Sequence, residues 1–147
     1  MLIRNHIIGL FEQASFERDP ARRRQLLTFV VCGGGHTGIQ VVTELRDFVH
    51  RHLLRFYHLA DASDIRIILI GAESRIVAEL HSKLGAHVMK HVLRAGIEVR
   101  LRSRVTQVRE DGVEINGSET VPSATVIWMA GVLAHPLVAG LPAERDD

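Results

Sequence analysis

An α/β fold is expected here, a doubly wound parallel sheet carrying a small antiparallel β-meander and preceded by an N-terminal helix. Three patterns lead to it. Thr28–Cys32 and Ile65–Ile70 are short, nearly continuous apolar runs, as strands covered on both faces require, the second broken only by Arg66. Each is followed by a stretch with apolar residues at helical spacing. After Ala95-Gly96 the period changes to two, with turn residues every few positions, before a last apolar run at Ala124–Met129. Parallel strands joined by helices make such a sheet. With 147 residues, 46% of them hydrophobic, the chain has enough apolar content for one ordinary domain core.

Leu2, Ile3, Ile7, Ile8, Leu10, Phe11 and Phe16 recur at roughly helical spacing over 2–18, an amphipathic helix that Asp19-Pro20 ends. Ala21 to Gln25 reads as a short second helical turn. Its Arg22-Arg23-Arg24 cluster is taken as a solvated helix face in preference to an anion patch. Strand 28–32 then leads into a helix over about 36–54, with Val41, Val42, Leu45, Phe48 and Val49 as its apolar stripe. Residues 55–64 form a connection, with Asp61-Ala62-Ser63-Asp64 as turn chemistry. A second helix is expected over about 76–94, with Val77, Leu80, Leu84, Val88 and Val92 on one face and Ala95-Gly96 as its stop. Ile97, Val99 and Leu101 next alternate with Glu98, Arg100 and Arg102. Glu110-Asp111-Gly112 and Asn116-Gly117-Ser118 are the turns of a meander through Val113-Glu114-Ile115 and Thr120-Val121-Pro122. Trp128 and Met129, in the final strand, read as core.

Composition removes several classes of function. A formal charge of +1 lacks the basic surplus of a general nucleic-acid binder. The single Cys32 gives no internal disulfide and falls inside a strand, where a small buried hydrophobe is expected rather than a redox thiol. That usage fits a reducing, cytoplasmic setting. No apolar run is long enough to cross a bilayer, and the N-terminus has no signal-peptide layout. There is no internal repeat, no G-x-S-x-G and no Gly-Lys-Ser/Thr closing a phosphate loop. Nine histidines raise the question of a metal. His87 and His91 are four apart on one helix, but no glutamate follows His87 and no third ligand is evident, so no metal is expected.

The chemistry-bearing feature is the junction of the first strand with its helix, Thr28-Phe29-Val30-Val31-Cys32-Gly33-Gly34-Gly35-His36-Thr37-Gly38. A G-x-G-x-x-G that ends a strand and opens a helix builds an anion site. Gly33 permits the tight turn, Gly35 lets backbone approach a pyrophosphate, and Gly38 lets helix and strand pack closely. Free amides and the positive end of the helix dipole then face the phosphates. A Rossmann-like dinucleotide site is the reading taken; a glycine-rich turn without a ligand is the alternative.

The stretch Leu27–Gly38 resembles the second nucleotide motif of flavin-dependent pyridine nucleotide oxidoreductases, and type II NADH:quinone oxidoreductases in particular. The likeness extends in order over nearly the whole chain. It includes the leading helix, a linker like Asp19-Pro20-Ala21-Arg22, the meander, and a strand like Thr125-Val126-Ile127-Trp128-Met129-Ala130-Gly131-Val132. The resemblance implies the NADH-binding insert of a larger flavoprotein. Residues 1–26 would be a helical linker from an FAD domain, 27–135 the NAD(P)H-binding domain, and 136–147 the start of the return to the FAD domain. FAD would be bound by segments not in this chain, quinone would be the acceptor of the parent, and the parent would sit peripherally on the cytoplasmic face of a membrane. The fragment alone would not turn over.

Carried across by position, Gly33, Gly34, Gly35, His36, Thr37 and Gly38 would hold the pyrophosphate, and Ala130, Gly131 and Val132 would line the nicotinamide side. Three positions depart from the family pattern. Gly71 stands where an acidic residue usually accepts from the adenosine ribose; Glu73 is a substitute, and Arg75 would instead pair with the 2′-phosphate of NADPH. NADH is the cofactor taken, with NADPH open. Gln40 stands where a glutamate is common near nicotinamide and flavin, and it hydrogen-bonds without carrying charge. His36 replaces a usual proline, and either adds a pH-dependent phosphate contact or tolerates the turn. Different classes also stand: a non-catalytic nucleotide sensor or interaction domain, favoured by Gly71 and Gln40, and a sulfide:quinone-type relative, disfavoured by the lone Cys32.

Overall fold

The computed structural model describes residues 2–57 and 62–131. Helix α1 (Leu2–Phe16) is followed by α2 (Pro20–Leu26), β1 (Thr28–Cys32) and α3 (His36–Asp47), which continues as a π-helical segment, Phe48–Leu53. Then come β2 (Arg66–Ile70), α4 (Ser82–Arg94), β3 (Glu98–Arg100), β4 (Val105–Arg109), β5 (Gly112–Ile115), β6 (Glu119–Pro122) and β7 (Thr125–Trp128). Strands β3-β2-β1-β7 form a parallel sheet in that order, and β4-β5-β6 an antiparallel one. Chain order therefore runs from β1 toward β3 on one side and returns on the other with β7. That reversal is where α/β sheets open a ligand crevice at their strand ends.

Alternation along β1 decides which layer covers which face. Phe29 and Val31 point toward the helices, and Val30 and Cys32 toward the meander. On the helical side they meet Ile7, Leu10 and Phe11 of α1, Val42 and Leu45 of α3, and Val92 of α4. The Phe11 and Phe29 rings stack with centroids 6.2 Å apart. On the other side Val30, Cys32, Ile68 and Ile70 pack on Val113, Ile115 and Val121. Both faces are thus closed, one by helices and one by the antiparallel layer, so the fold is α/β and Rossmann-like with the meander covering the face that α1, α3 and α4 leave open.

Local chemistry sets the element ends. Asp19 caps α2 by accepting from the Ala21 amide at 2.9 Å, and Pro20 takes the first helical position, where its missing N–H costs nothing. The arginines after it are not merely solvated. Arg23 Nε lies 2.7 Å and Arg24 3.6 Å from Asp64, a 5%-exposed carboxylate just ahead of β2. The first crossover helix keeps its expected length but not its winding, since the wider π turn at 48–53 holds Val49 and Leu53 in the core.

The second crossover helix is shorter than its periodicity implies. It begins at Ser82, capped by His81, and 72–81 is a loop. Ile76 and Val77 are buried, but by packing at the glycine loop rather than on a helix face. Val77 has φ 42°, which a helix cannot continue through, while its amide donates to the Gly34 carbonyl at 2.7 Å. Leu84, placed by its spacing on the buried stripe, is half-exposed.

Candidate functional site

The glycine loop leaves the sheet at the carboxyl end of β1 and turns directly into α3. Gly33 has φ 121°, and a side chain there would meet the Met129 carbonyl group at 2.7 Å and the Ala130 nitrogen at 2.9 Å. Gly38 is buried, and a Cβ on it would collide with the Gly33 carbonyl oxygen. Gly35, between them, meets nothing within 4 Å. Two glycines are therefore required by the fold and the third keeps its outer side open. Gly35 is also the N-cap of α3 and brings no side-chain cap, so first-turn amides that lack intrahelical partners face this opening.

A second wall comes from the end of β2. Gly71 and Gly34 approach closely: a Cβ on either would lie under 4 Å from the other's Cα. A side chain at Gly71 would also meet Leu101. The loop is tied across by the Gly71 amide to Arg100 O (2.8 Å), the Ser103 amide to Gly71 O (3.0 Å) and the Arg102 amide to Glu73 O (2.9 Å). Glu73 is exposed. Arg75 is exposed too, but its guanidinium donates to the carbonyls of Leu80, at 3.0 Å, and Ala78. It therefore braces the loop it sits on. Glu79, which periodicity placed on a helix, lies instead on this loop with Oε1 3.2 Å from His36 Nδ1. Its carboxyl titrates below the usual range, held there first by its own backbone amide and also by His36.

The third wall follows β7. Ala130 abuts Gly33 and accepts from Trp128 Nε1 at 2.7 Å, and Gly131 takes φ 82° with open space around it. Trp128 and Met129, both expected in the core, are exposed, Trp128 by 53%. A cavity of about 180 Å³ lies between these strand ends, on the meander side, bordered by Gly33, Ala72, Ser103, Arg104, Trp128 and Ala130. Gly33–Gly38, Gly71, Glu73, Ala130 and Gly131 thus converge at one end of the sheet, whereas Val132 and residues 136–147 lie outside the described residues. Gln40 is exposed one turn further along α3. It borders an apolar groove of about 480 Å³ with Ile3, Ile7, Val41 and Phe48.

Other constellations do not assemble a site. A hollow of about 550 Å³ between α3 and α4 includes Arg46, Asp47, Arg51, His91 and Arg94, but it is remote from the strand ends, and Asp47 pairs with both Arg46 and Arg51. Among the described residues no three histidine, cysteine, aspartate or glutamate side chains come together as metal ligands would. Burial pushes the Cys32 thiol up to about 11, which leaves it an inert core group. No helix among the described residues is long and apolar enough to cross a membrane.

Known proteins share this arrangement. The chain is 34% identical over 145 residues to a probable NADH dehydrogenase of Dictyostelium discoideum, covering 98% of this chain and 32% of that protein. It is 32% identical over 139 residues to the type II NADH:quinone oxidoreductase Ndh of Mycobacterium tuberculosis, covering 92% and 30%. The chain thus spans about a third of the length of these relatives. Among solved structures, that of NDH2 from Plasmodium falciparum in complex with NADH superposes with a TM-score of 0.83 at 20% identity. The superposition covers 92% of this chain and 29% of that one, a likeness of fold. The profile of one family runs from Ile7 to Asp146, across the helices, the glycine loop and the meander alike, and on that match the chain belongs to the pyridine nucleotide-disulphide oxidoreductase family.

Proposed function

We propose that this chain is the NADH-binding domain of a flavin-dependent NADH dehydrogenase whose parent passes electrons to quinone. The observation that carries the reading is the loop Gly33–Gly38, closed by backbone at Gly33 and Gly38 and open at Gly35 over the start of α3. Membership of the family and relatives described as NADH dehydrogenases support it. Gly33–Gly38 would hold the pyrophosphate, with Thr37 and Gly38 amides donating to it. Glu73 would accept from the adenosine ribose, and Ala130, Gly131 and Val132 would line the nicotinamide. The chain's own contribution is to bind and orient; hydride acceptance belongs to FAD, held by the parent's flanking segments. Residues 1–26 would link to that flavin domain, 27–135 form the nucleotide domain, and 136–147 begin the return. The parent would lie peripherally on the cytoplasmic membrane face.

Bracing of the 72–81 loop by Arg75 favours NADH over NADPH, because the guanidinium already donates to two carbonyls. Calorimetric titration of the chain with each cofactor tests this, and tighter binding of NADH is the expected result. Preference for NADPH would reassign Arg75 to the 2′-phosphate. A second reading, a nucleotide sensor without catalysis in its parent, rests on the missing carboxylate at Gly71. It requires a parent frame without FAD motifs on either side. On the leading reading those motifs flank the chain, and the isolated domain with NADH and a soluble quinone gives no turnover.

A further inference from the structure

His36 opens α3 from within the glycine loop, its side chain 72% exposed, and meets Glu79 of the facing loop at 3.2 Å. The pair spans the rim of the crevice rather than closing any part of the core. A carboxylate at this rim would oppose an anion arriving at the first-turn amides, unless the imidazole between them is charged. Its charged surroundings are few. On the 72–81 loop, Arg75 donates to the carbonyls either side of Glu79, Glu73 is solvated, and His81 accepts from the Lys83 amide of α4. Arg102 and Arg104 follow β3, and α3 carries no charged side chain until Glu44.

We propose that Glu79 is a positioning residue for the dinucleotide, holding the His36 imidazolium at the phosphate loop as a cation for the pyrophosphate. The inference rests on the reading of Gly33–Gly38 as the pyrophosphate loop. The Glu79 carboxyl titrates below the usual range, so it is ionised at neutral pH and offers the His36 ring a charged partner. A protonated His36 ring both neutralises Glu79 and attracts phosphate. Beside a neutral ring the carboxylate stands uncompensated at the site. Dinucleotide affinity is therefore highest at acid pH and falls as pH rises. Salt weakens the effect, since both groups are exposed.

The test is calorimetric titration of the 147-residue chain with ADP-ribose, which keeps the pyrophosphate and withstands acid. It runs from about pH 5.5 to about pH 8.5 at fixed low ionic strength. For the native chain a fall of roughly three- to tenfold across that range is expected, the scale of one charge-assisted contact at a solvated site. His36→Asn is expected to bind weakly throughout, with little slope. Glu79→Gln is expected to bind more weakly than the native chain at low pH, where the imidazolium is no longer held at the loop. At high pH, where the carboxylate is gone, it is expected to bind more tightly, so that its profile is flatter. Both side chains are exposed, so unchanged circular dichroism is expected in both variants. A flat native profile, or a Glu79→Gln variant with the native slope, would overturn the inference while leaving the loop assignment in place. Absence of binding at every pH would overturn the loop assignment as well.

Discussion

Three glycines of one loop, within six positions, answer to three different constraints. Gly38 has no room, Gly33 has neither room nor an ordinary φ, and Gly35 has both. Alanine separates them. Gly38→Ala is expected to cost about 3 kcal/mol or more, because the clash is with backbone that cannot step aside. Gly35→Ala is expected to lose no more than about 1 kcal/mol, the difference between the two residues at an N-cap. On the proposed reading its NADH affinity should nonetheless drop by about tenfold or more, the methyl occupying the side left open for phosphate. Thermal unfolding alongside calorimetry checks the contrast, and equal stability losses in the two variants would sink this division of labour. The glycine pattern itself makes these roles legible in one dimension. Glu79 was not legible, because Ile76, Val77 and Leu80 imitate a helical stripe and hide the loop that turns its carboxylate toward His36.

At the level of elements, strand runs were easier to read than helix ends. Apolar alternation and buried runs locate β1, β2 and β7 to within a residue, since a covered strand has no other way to satisfy its faces. The start of α4 depends on Val77 adopting a positive φ and bonding back to Gly34, a tertiary fact with no local signature. Ion pairs behave likewise. Asp64 and Arg23 lie far apart in sequence and pin α2 to the entry of β2 at 2.7 Å. Asp64→Asn should cost about 2 kcal/mol, measured by urea denaturation, as the partly buried guanidinium loses its partner. On β3, Glu98 is bonded by Arg66 and Arg100. Burial opposes its charge, yet these two arginines outweigh it and hold the carboxyl below its usual range. A carboxyl depressed in the folded state stabilises above its unfolded value, near pH 4.3, and loses that contribution as pH falls through its folded value. Glu98→Gln should therefore lower stability at pH 7 by less than about 1 kcal/mol, the group being 39% exposed, and shrink the gap to the native chain in acid. A gap independent of pH would count against this account.

At the scale of the whole molecule, one sheet separates two hydrophobic cores among the described residues. Phe29 and Val31 belong to the helical side, and Val30 and Cys32 to the meander side. Loss of either cover exposes the same four strands, so the chain should unfold in one step. Far-ultraviolet dichroism and Trp128 fluorescence are expected to give coincident thermal transitions, and Phe29→Ala to lower both together by about 3–5 kcal/mol of stability. Separate transitions would mean that the meander is an independent unit.

Strand β7 is the last described element to be synthesised, yet it pairs with β1 and presses Met129 and Ala130 against Gly33. As the polypeptide leaves the ribosome, the glycine loop emerges well before its opposite wall. Long-range pairing of this kind closes late in folding. A chain interrupted after Ser123 would still hold the loop's sequence and the partners β2 and β3, but not a finished crevice. On the proposed reading, nucleotide capture would therefore discriminate chains that include β7 from those that stop before it.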